Sequence, residues 1–134
     1  MTLELYFRLI ISILFQSSIP LLKFKVNYNN TYFNCPRIHA KDGFNVSLQI
    51  NNGNYCESEN GYRQFGYTWK YVEFGFPSQY DELFVPYAEE ESNITEIVGS
   101  IPLKVLEEIF EKHGVIDWET TLSVENMKSF TRIK

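Results

Sequence analysis

The stretch FNVSLQI, residues 44–50, decides the fold class because its side chains alternate strictly between apolar and polar. Such alternation predicts a β-strand with one buried face, formed here by the apolar residues of the stretch. Residues 51–54, NNGN, follow with side chains that tolerate positive φ and favour a hairpin turn. We therefore expect an antiparallel sheet that begins at this strand.

A second strand is predicted over residues 67–76, YTWKYVEFGF, which are rich in aromatic and β-branched side chains. We expect it to pair with the first strand and to end at Pro77, which lacks a backbone donor. Shorter strands are predicted over Leu83–Val85, before Pro86, and over Ile94–Val98.

One amphipathic helix is predicted after these strands. Ser100 and Pro102 are typical of a helix start, and an apolar stripe at helical spacing follows from Leu103 to Phe110. Gly114 favours a left-handed cap at its end, next to a histidine. Strands followed by a helix predict an α+β fold: a small antiparallel sheet of about four strands with one C-terminal amphipathic helix.

The N-terminal segment, residues 1–36, differs from the rest because residues 9–22 are mostly apolar. This run is too short and interrupted for a typical membrane-spanning helix, and Glu4 weakens the match to a signal peptide. Three alternatives stay open: a dispensable extension, a signal-like or membrane-associated segment, and a core helix. In the last case the face with helical spacing is Leu5, Leu9, Ser12 and Ile13.

The chain is accordingly divided into an apolar extension (1–36), an α+β domain (37–119) and a C-terminal tail (120–134). We expect a cytoplasmic protein, or a secreted or membrane-associated one if the first segment is a genuine signal. Membrane contact is expected only through residues 9–22. The sequence leaves the oligomeric state open.

The acidic residues are concentrated in one part of the chain. The 134 residues carry a formal net charge of −5, and residues 81–119 alone hold eleven acidic and two basic side chains, a net of −9. This balance argues against general nucleic-acid binding, which needs clustered Lys and Arg. It suggests an acidic face for a basic partner, or simply a solvated surface. The candidate residues are Glu89, Glu90, Glu91, Glu107 and Glu108.

A second candidate surface is the aromatic strand and the loop before it. Aromatic side chains make up 16% of the chain. Stacked tyrosines beside basic residues can bind bases or nucleotides, but aromatic side chains also stabilise sheets by pairing across strands. The candidate binding residues are Tyr55, Arg63, Trp69, Tyr71 and Glu73.

The sequence contains no motif that commits it to catalysis. Phosphate loops and nucleotide fingerprints are absent, and we expect no cofactor, no metal and no assigned catalytic residue. Two cysteines are too few for a disulfide scaffold, and whether Cys35 pairs with Cys56 stays open. A small enzyme using Cys56 or Glu73, for example with His113 and Asp117 beside the cysteine, is a remaining alternative, although a non-enzymatic protein is favoured.

Several short motifs resemble those of a family of small, uncharacterised proteins encoded by phages and prophages. The resemblance covers about 80 residues between Arg37 and Ile116 and omits the N-terminal segment; at residues 57–59 the chain departs from the family's Pro-Arg. The matching pieces are Asp42-Gly43, Tyr55-Cys56, Val72–Ser78, Pro86–Glu89, Ile101-Pro102 and His113-Gly114.

This resemblance implies an accessory protein of a mobile element. With the acidic stretch, it favours a small non-enzymatic protein that binds a host protein through an acidic face. The alternative is a small-ligand or nucleotide binder that uses the aromatic strand face.

Overall fold

The computed structural model describes residues 1–15, 32–50, 55–64, 66, 68–90 and 97–133. In chain order its elements are α1 (Leu3–Phe15), β1 (Tyr32–Asn34), β2 (Ile38–His39), β3 (Asn45–Gln49), β4 (Glu57–Ser58), β5 (Gly61–Tyr62), β6 (Trp69–Gly75), a 3-10 helix (Glu82–Tyr87), β7 (Ala88–Glu90), β8 (Val98–Pro102), α2 (Leu103–Lys112), α3 (Trp118–Thr121), α4 (Val124–Met127) and β9 (Thr131–Ile133).

The fold is α+β with an open antiparallel sheet, as the sequence predicts. The strand over residues 44–50 is confirmed: β3 alternates buried and half-buried positions and pairs with β6. The sheet is larger than the predicted four strands, however. On one edge of β6, β3 pairs with its second half and β4 with its first half; β2 lies beyond β3, and β5 lies beyond β4. On the other edge β6 pairs with β8, and β7 lies beyond β8. Strands β1 and β9 form a separate pair.

The N-terminal helix α1 packs into the core. Its buried face consists of Leu3, Tyr6, Phe7, Ile10 and Ile11. The face that the sequence suggested is wrong: Leu5 is 50% exposed, and Ser12 and Ile13 are exposed too. Both faces have helical spacing, and the aromatic side chains determine which one is buried, since the Tyr6 ring contacts Trp118 and the Phe7 ring contacts Trp69.

Packing among the described residues does not follow the predicted boundaries at residues 36 and 119. Besides α1, the C-terminal residues join the core: Phe130 stacks on the buried Phe33, and the Asn126 side-chain amide donates to the Arg37 carbonyl at 2.9 Å. Among the helices of the described ranges, none is both long and apolar enough to cross a membrane.

Two local expectations are wrong. The predicted strand over residues 83–85 is part of the 3-10 helix, whose first turn is capped by the Asp81 carboxylate at 3.0 Å from the Leu83 N–H. The predicted helix start at Ser100 lies within β8, where Ser100 pairs with Glu73 of β6. The helix begins after Pro102 without a side-chain cap. The predicted hairpin turn at 51–54 lies outside the described residues.

Candidate functional site

A groove lies between α1 and α2, and we call it the α1–α2 groove. Its volume is about 680 Å³. Apolar side chains dominate its lining, and charged ones come from α2 and from the turn after β2. The lining residues are Met1, Thr2, Leu3, Lys41, Glu107, Phe110, Glu111, Val115, Ile116 and Trp118.

The sequence explains why α2 presents carboxylates to this groove. Leu103, Leu106, Ile109 and Phe110 are buried against the sheet, as the apolar stripe predicts. Glu107 and Glu111, four residues apart, then lie on one face of the helix and at the groove. The groove thus combines a partly apolar lining with two exposed carboxylates.

The C-terminus of α2 ends at the groove in a Schellman motif, which confirms the predicted glycine cap. The Gly114 N–H donates to the Glu111 carbonyl at 3.2 Å, and the Val115 N–H donates to the Phe110 carbonyl at 2.8 Å. Gly114 has a φ of 85° and Val115 a φ of 67°, in the left-handed region that branched side chains rarely adopt. The Lys41 N–H donates to the Val115 carbonyl, which ties the groove wall to the turn after β2.

His113, the last residue before this cap, lies buried between two carboxylates. Its Nδ1 is 2.6 Å from Asp42 Oδ2, and its Nε2 is 3.1 Å from Asp81 Oδ2. The Gln79 amide is farther from Nδ1, at 3.4 Å, and the ring stacks on Phe44. Each ring nitrogen therefore faces a carboxylate oxygen at hydrogen-bonding distance.

The Asp81 carboxylate is the buried member of this group, which we call the His113 cluster. Burial by itself would raise the pKa of the Asp81 carboxyl. Hydrogen bonds from the Leu83 N–H, His113 and Lys112 outweigh burial, so the pKa of Asp81 lies below its ordinary value. Lys112 Nζ is 3.2 Å from Asp81 Oδ1. The cluster therefore ties the end of α2 to the segment that contains Asp81.

Asp42 is exposed on the opposite side of the ring. The Phe44 N–H, and after it His113, lower the pKa of the Asp42 carboxyl. With both ring nitrogens engaged and the ring buried, the geometry gives His113 a structural role.

The alternative enzyme site around Cys56 is not assembled. Burial raises the pKa of the Cys56 thiol to about 12, so it remains protonated and weakly nucleophilic. His113 contacts Asp42 and Asp81, while Asp117 caps α3 through the Thr120 N–H at 3.0 Å. Both cysteines are buried and no disulfide joins them. In the described ranges, no group of His, Cys, Asp and Glu has the arrangement of a metal site.

The structure brings most of the predicted aromatic residues together on one face of the sheet. The Arg63 guanidinium lies over two rings, 4.9 Å from the centre of Tyr55 and 5.5 Å from that of Tyr62. Glu73 is adjacent, since its Oε2 accepts from the Tyr55 N–H at 3.0 Å. Tyr71 is exposed on the same strand.

Trp69 does not belong to this exposed face, which corrects the expectation that it shares a face with Tyr71. The pairing of β4 with β6 shifts register: Glu57 opposes Tyr71, but Ser58 opposes Trp69, so Lys70 is an extra residue. This bulge turns Trp69 into the core, where it is 4% exposed.

The predicted acidic residues are divided among separate elements. Glu107 lines the groove, and Glu108 is exposed on α2. Glu89 is exposed on β7, the side chain of Glu90 lies outside what the structure describes, and Glu91 lies outside the described residues.

The motif Val72–Ser78 that carries the phage resemblance forms the end of β6 and the turn after it. Phe76 has a φ of 51° and its carbonyl accepts from Arg37. Ser78 and Asn45 exchange two hydrogen bonds, at 2.8 and 2.9 Å. The motif therefore forms the end of β6 and attaches the turn after it to Arg37 and to the start of β3.

Comparison of the chain with protein-family models, with curated proteins and with solved structures gave no match. A function for this chain is therefore inferred from the geometry of the groove and of the aromatic face.

Sequence reasoning missed the groove itself. Lys41, Glu111 and Trp118 come from different parts of the chain, and only the docking of α1 against the end of α2 brings them together. The available signal was the spacing of Glu107 and Glu111 beside an apolar stripe.

Proposed function

We propose that this protein is a non-enzymatic binding module that binds a partner protein through the α1–α2 groove. The partner segment has an apolar side chain that enters the groove and a basic side chain beside it. The observation that carries this proposal is the pair Glu107 and Glu111 on a groove of about 680 Å³ with a largely apolar lining.

The chemistry of the groove supports this partner. Apolar surface in a concave site favours burial of an aliphatic or aromatic anchor, as at interface hot spots. Carboxylates at the rim attract a basic partner and favour its correct orientation. Lys41 is the one cationic side chain among the lining residues.

The resemblance to phage and prophage proteins supports a host protein as this partner and a mobile element as the source. Of the acidic residues predicted from the sequence, Glu107 lies at the groove together with Glu111, and Glu108 is exposed beside them on α2.

The test is capture from a bacterial lysate by the wild type and by the double variant Glu107→Gln/Glu111→Gln. We expect a partner that the wild type retains and the double variant binds about tenfold more weakly, which corresponds to about 1.4 kcal/mol. Glu125→Gln is the control, because Glu125 is exposed on α4 and lies outside the groove. Equal retention by the double variant would overturn the proposal.

Tryptophan fluorescence gives an independent measurement on the captured partner. The chain has two tryptophans, Trp69 in the core and Trp118 in the groove lining. In a Trp69→Phe background, Trp118 is the single indole, and its emission should change as the partner is added. An unchanged emission with a bound partner would place the interface elsewhere.

A further inference from the structure

A second candidate site lies on the aromatic face, and none of its residues lines the α1–α2 groove. It is formed by Arg63 between Tyr55 and Tyr62, and we call it the aromatic–arginine cluster. The Arg63 N–H donates to the Cys56 carbonyl at 2.8 Å, and a φ of 57° holds Arg63 in the left-handed region. A non-glycine residue in this region is uncommon, so the position of the guanidinium is a specific product of this hairpin.

The guanidinium has an unmet hydrogen-bond donor. Among the residues that the structure describes, no acceptor contacts Arg63 Nε, although this nitrogen is buried. Arg63 also takes part in none of the ion pairs of the described ranges. Nε itself is closed to solvent, so a ligand reaches the guanidinium through its terminal nitrogens.

Arginine selects the chemistry of the acceptor. The two terminal nitrogens form a fork that matches two oxygens of a phosphate or carboxylate. One face of the guanidinium is already stacked on tyrosine, which fixes the fork before a ligand arrives.

The surroundings of the fork favour a ligand with a flat ring. Tyr62 is 53% exposed and Tyr71 37%. Tyr62 of β5 and Tyr71 of β6 both pair with Glu57 of β4, which lies between them. The two tyrosines are therefore about 10 Å apart, which is two strand spacings. Exposed tyrosines offer a flat surface on which a nucleobase stacks.

Two carboxylates limit the size of the ligand. Glu57 lies between the two tyrosines and Glu73 contacts the Tyr55 backbone. Lys70, the nearby cation, is 3.8 Å from Glu57, which leaves Arg63 to bind the anion. A polynucleotide would bring further phosphates against these carboxylates, whereas the exocyclic amino group of a single base can donate to one of them.

We propose that the aromatic–arginine cluster binds a nucleoside monophosphate, with the phosphate on the Arg63 fork and an amino-bearing base against Tyr62 or Tyr71. This site is independent of the α1–α2 groove and of the function proposed for it.

The experiment is a calorimetric titration of the full chain with AMP and with CMP. We expect binding that weakens at least tenfold in Arg63→Lys, which keeps the charge but loses the fork. Tyr62→Leu should weaken binding as well, and it serves as the second variant because Tyr62 is exposed and its loss leaves the core intact. The groove variant Glu107→Gln/Glu111→Gln should bind AMP like the wild type.

Inorganic phosphate and adenosine separate the two halves of the ligand, and each should bind at least tenfold more weakly than AMP. Phosphate binding as tight as AMP would mean an adventitious ion only and would overturn the proposal. The proposal also fails if neither mononucleotide binds at millimolar concentration, or if AMP binds equally to Arg63→Lys and Tyr62→Leu.

Discussion

At the scale of single residues, His113 shows how a helix end acquires a fixed position. Its ring is bonded at both nitrogens, by carboxylates that precede it by 71 and 32 residues in the chain. The sequence identified His113 and Gly114 as the end of the helix, because the signals for a cap are local. Asp42 and Asp81 could not be assigned to the histidine, because nothing in the sequence pairs residues so far apart.

The lowered pKa values of Asp42 and Asp81 predict how stability depends on pH. As pH falls, the unfolded chain binds protons at these carboxyls first, near the ordinary pKa of about 3.9. Their contribution to stability is therefore complete above that pH and is lost as pH falls through the lower pKa values of the folded state. Urea denaturation at steps from pH 7 to pH 2 should show this loss below about pH 4.

Asp81→Asn tests which carboxylate matters most. Asp81 has a 2% exposed side chain and accepts from both His113 and Lys112. Its replacement removes the buried carboxylate that faces His113 Nε2 and Lys112 Nζ, so we expect a loss of about 3 kcal/mol at pH 7 and a shallower decline in acid. Glu82→Gln is the matched control at an exposed neighbour. An equal acid decline in Asp81→Asn and wild type would contradict the prediction.

At the scale of elements, the junction of β7 and β8 depends on a glycine. A Cβ on Gly99 would lie 2.0 Å from the Tyr87 carbonyl oxygen, so the backbone of one strand must move. On Gly75, which pairs with Val98, a Cβ would lie 3.2 Å from a methyl carbon of that side chain, so a side chain and not the backbone must shift by a few tenths of an ångström.

Gly99→Ala should therefore lower the free energy of unfolding by about 2 kcal/mol or more, and Gly75→Ala by less than about 1 kcal/mol. Urea denaturation of both variants measures the difference. Equal losses would mean that the two strands adjust their spacing freely.

Element boundaries were predicted less well than element types. The alternation in β3 and the stripe in α2 were sufficient, since each has a clear period. The strand β8 continues through Ser100 because its backbone pairs with Glu73, and that pairing outweighs the local preference of Ser and Pro for a helix start. In the same way, the bulge at Lys70 removed Trp69 from the predicted binding face.

At the scale of the whole molecule, α1 is part of the core, and Phe7→Ala measures how much it contributes. Phe7 is fully buried, and we expect a loss of about 3–5 kcal/mol. Leu5→Ala is the matched control on the exposed face of the same helix. A loss below about 0.5 kcal/mol for Phe7→Ala would support the alternative in which residues 1–36 are dispensable.

The α+β class could be read from the sequence because it depends on the order of periodic segments. The pairing of β1 with β9 and the packing of α1 could not, since each joins distant parts of the chain and leaves no local pattern. The α1–α2 groove is a product of that long-range packing, which is why Glu107 alone among its lining residues was a predicted binding residue.

The pairing of the C-terminal residues with β1 and β2 through hydrogen bonds has a consequence for synthesis. The His39 N–H donates to Thr121 across 82 residues, and Tyr32 of β1 pairs with Ile133 of β9. A ribosome must therefore release the chain through residue 133 before β1 finds its partner β9, and folding that depends on such distant pairs is slow. Until then the nascent chain exposes strand edges and an apolar α1 face, so a chaperone that binds such segments should associate with it during translation.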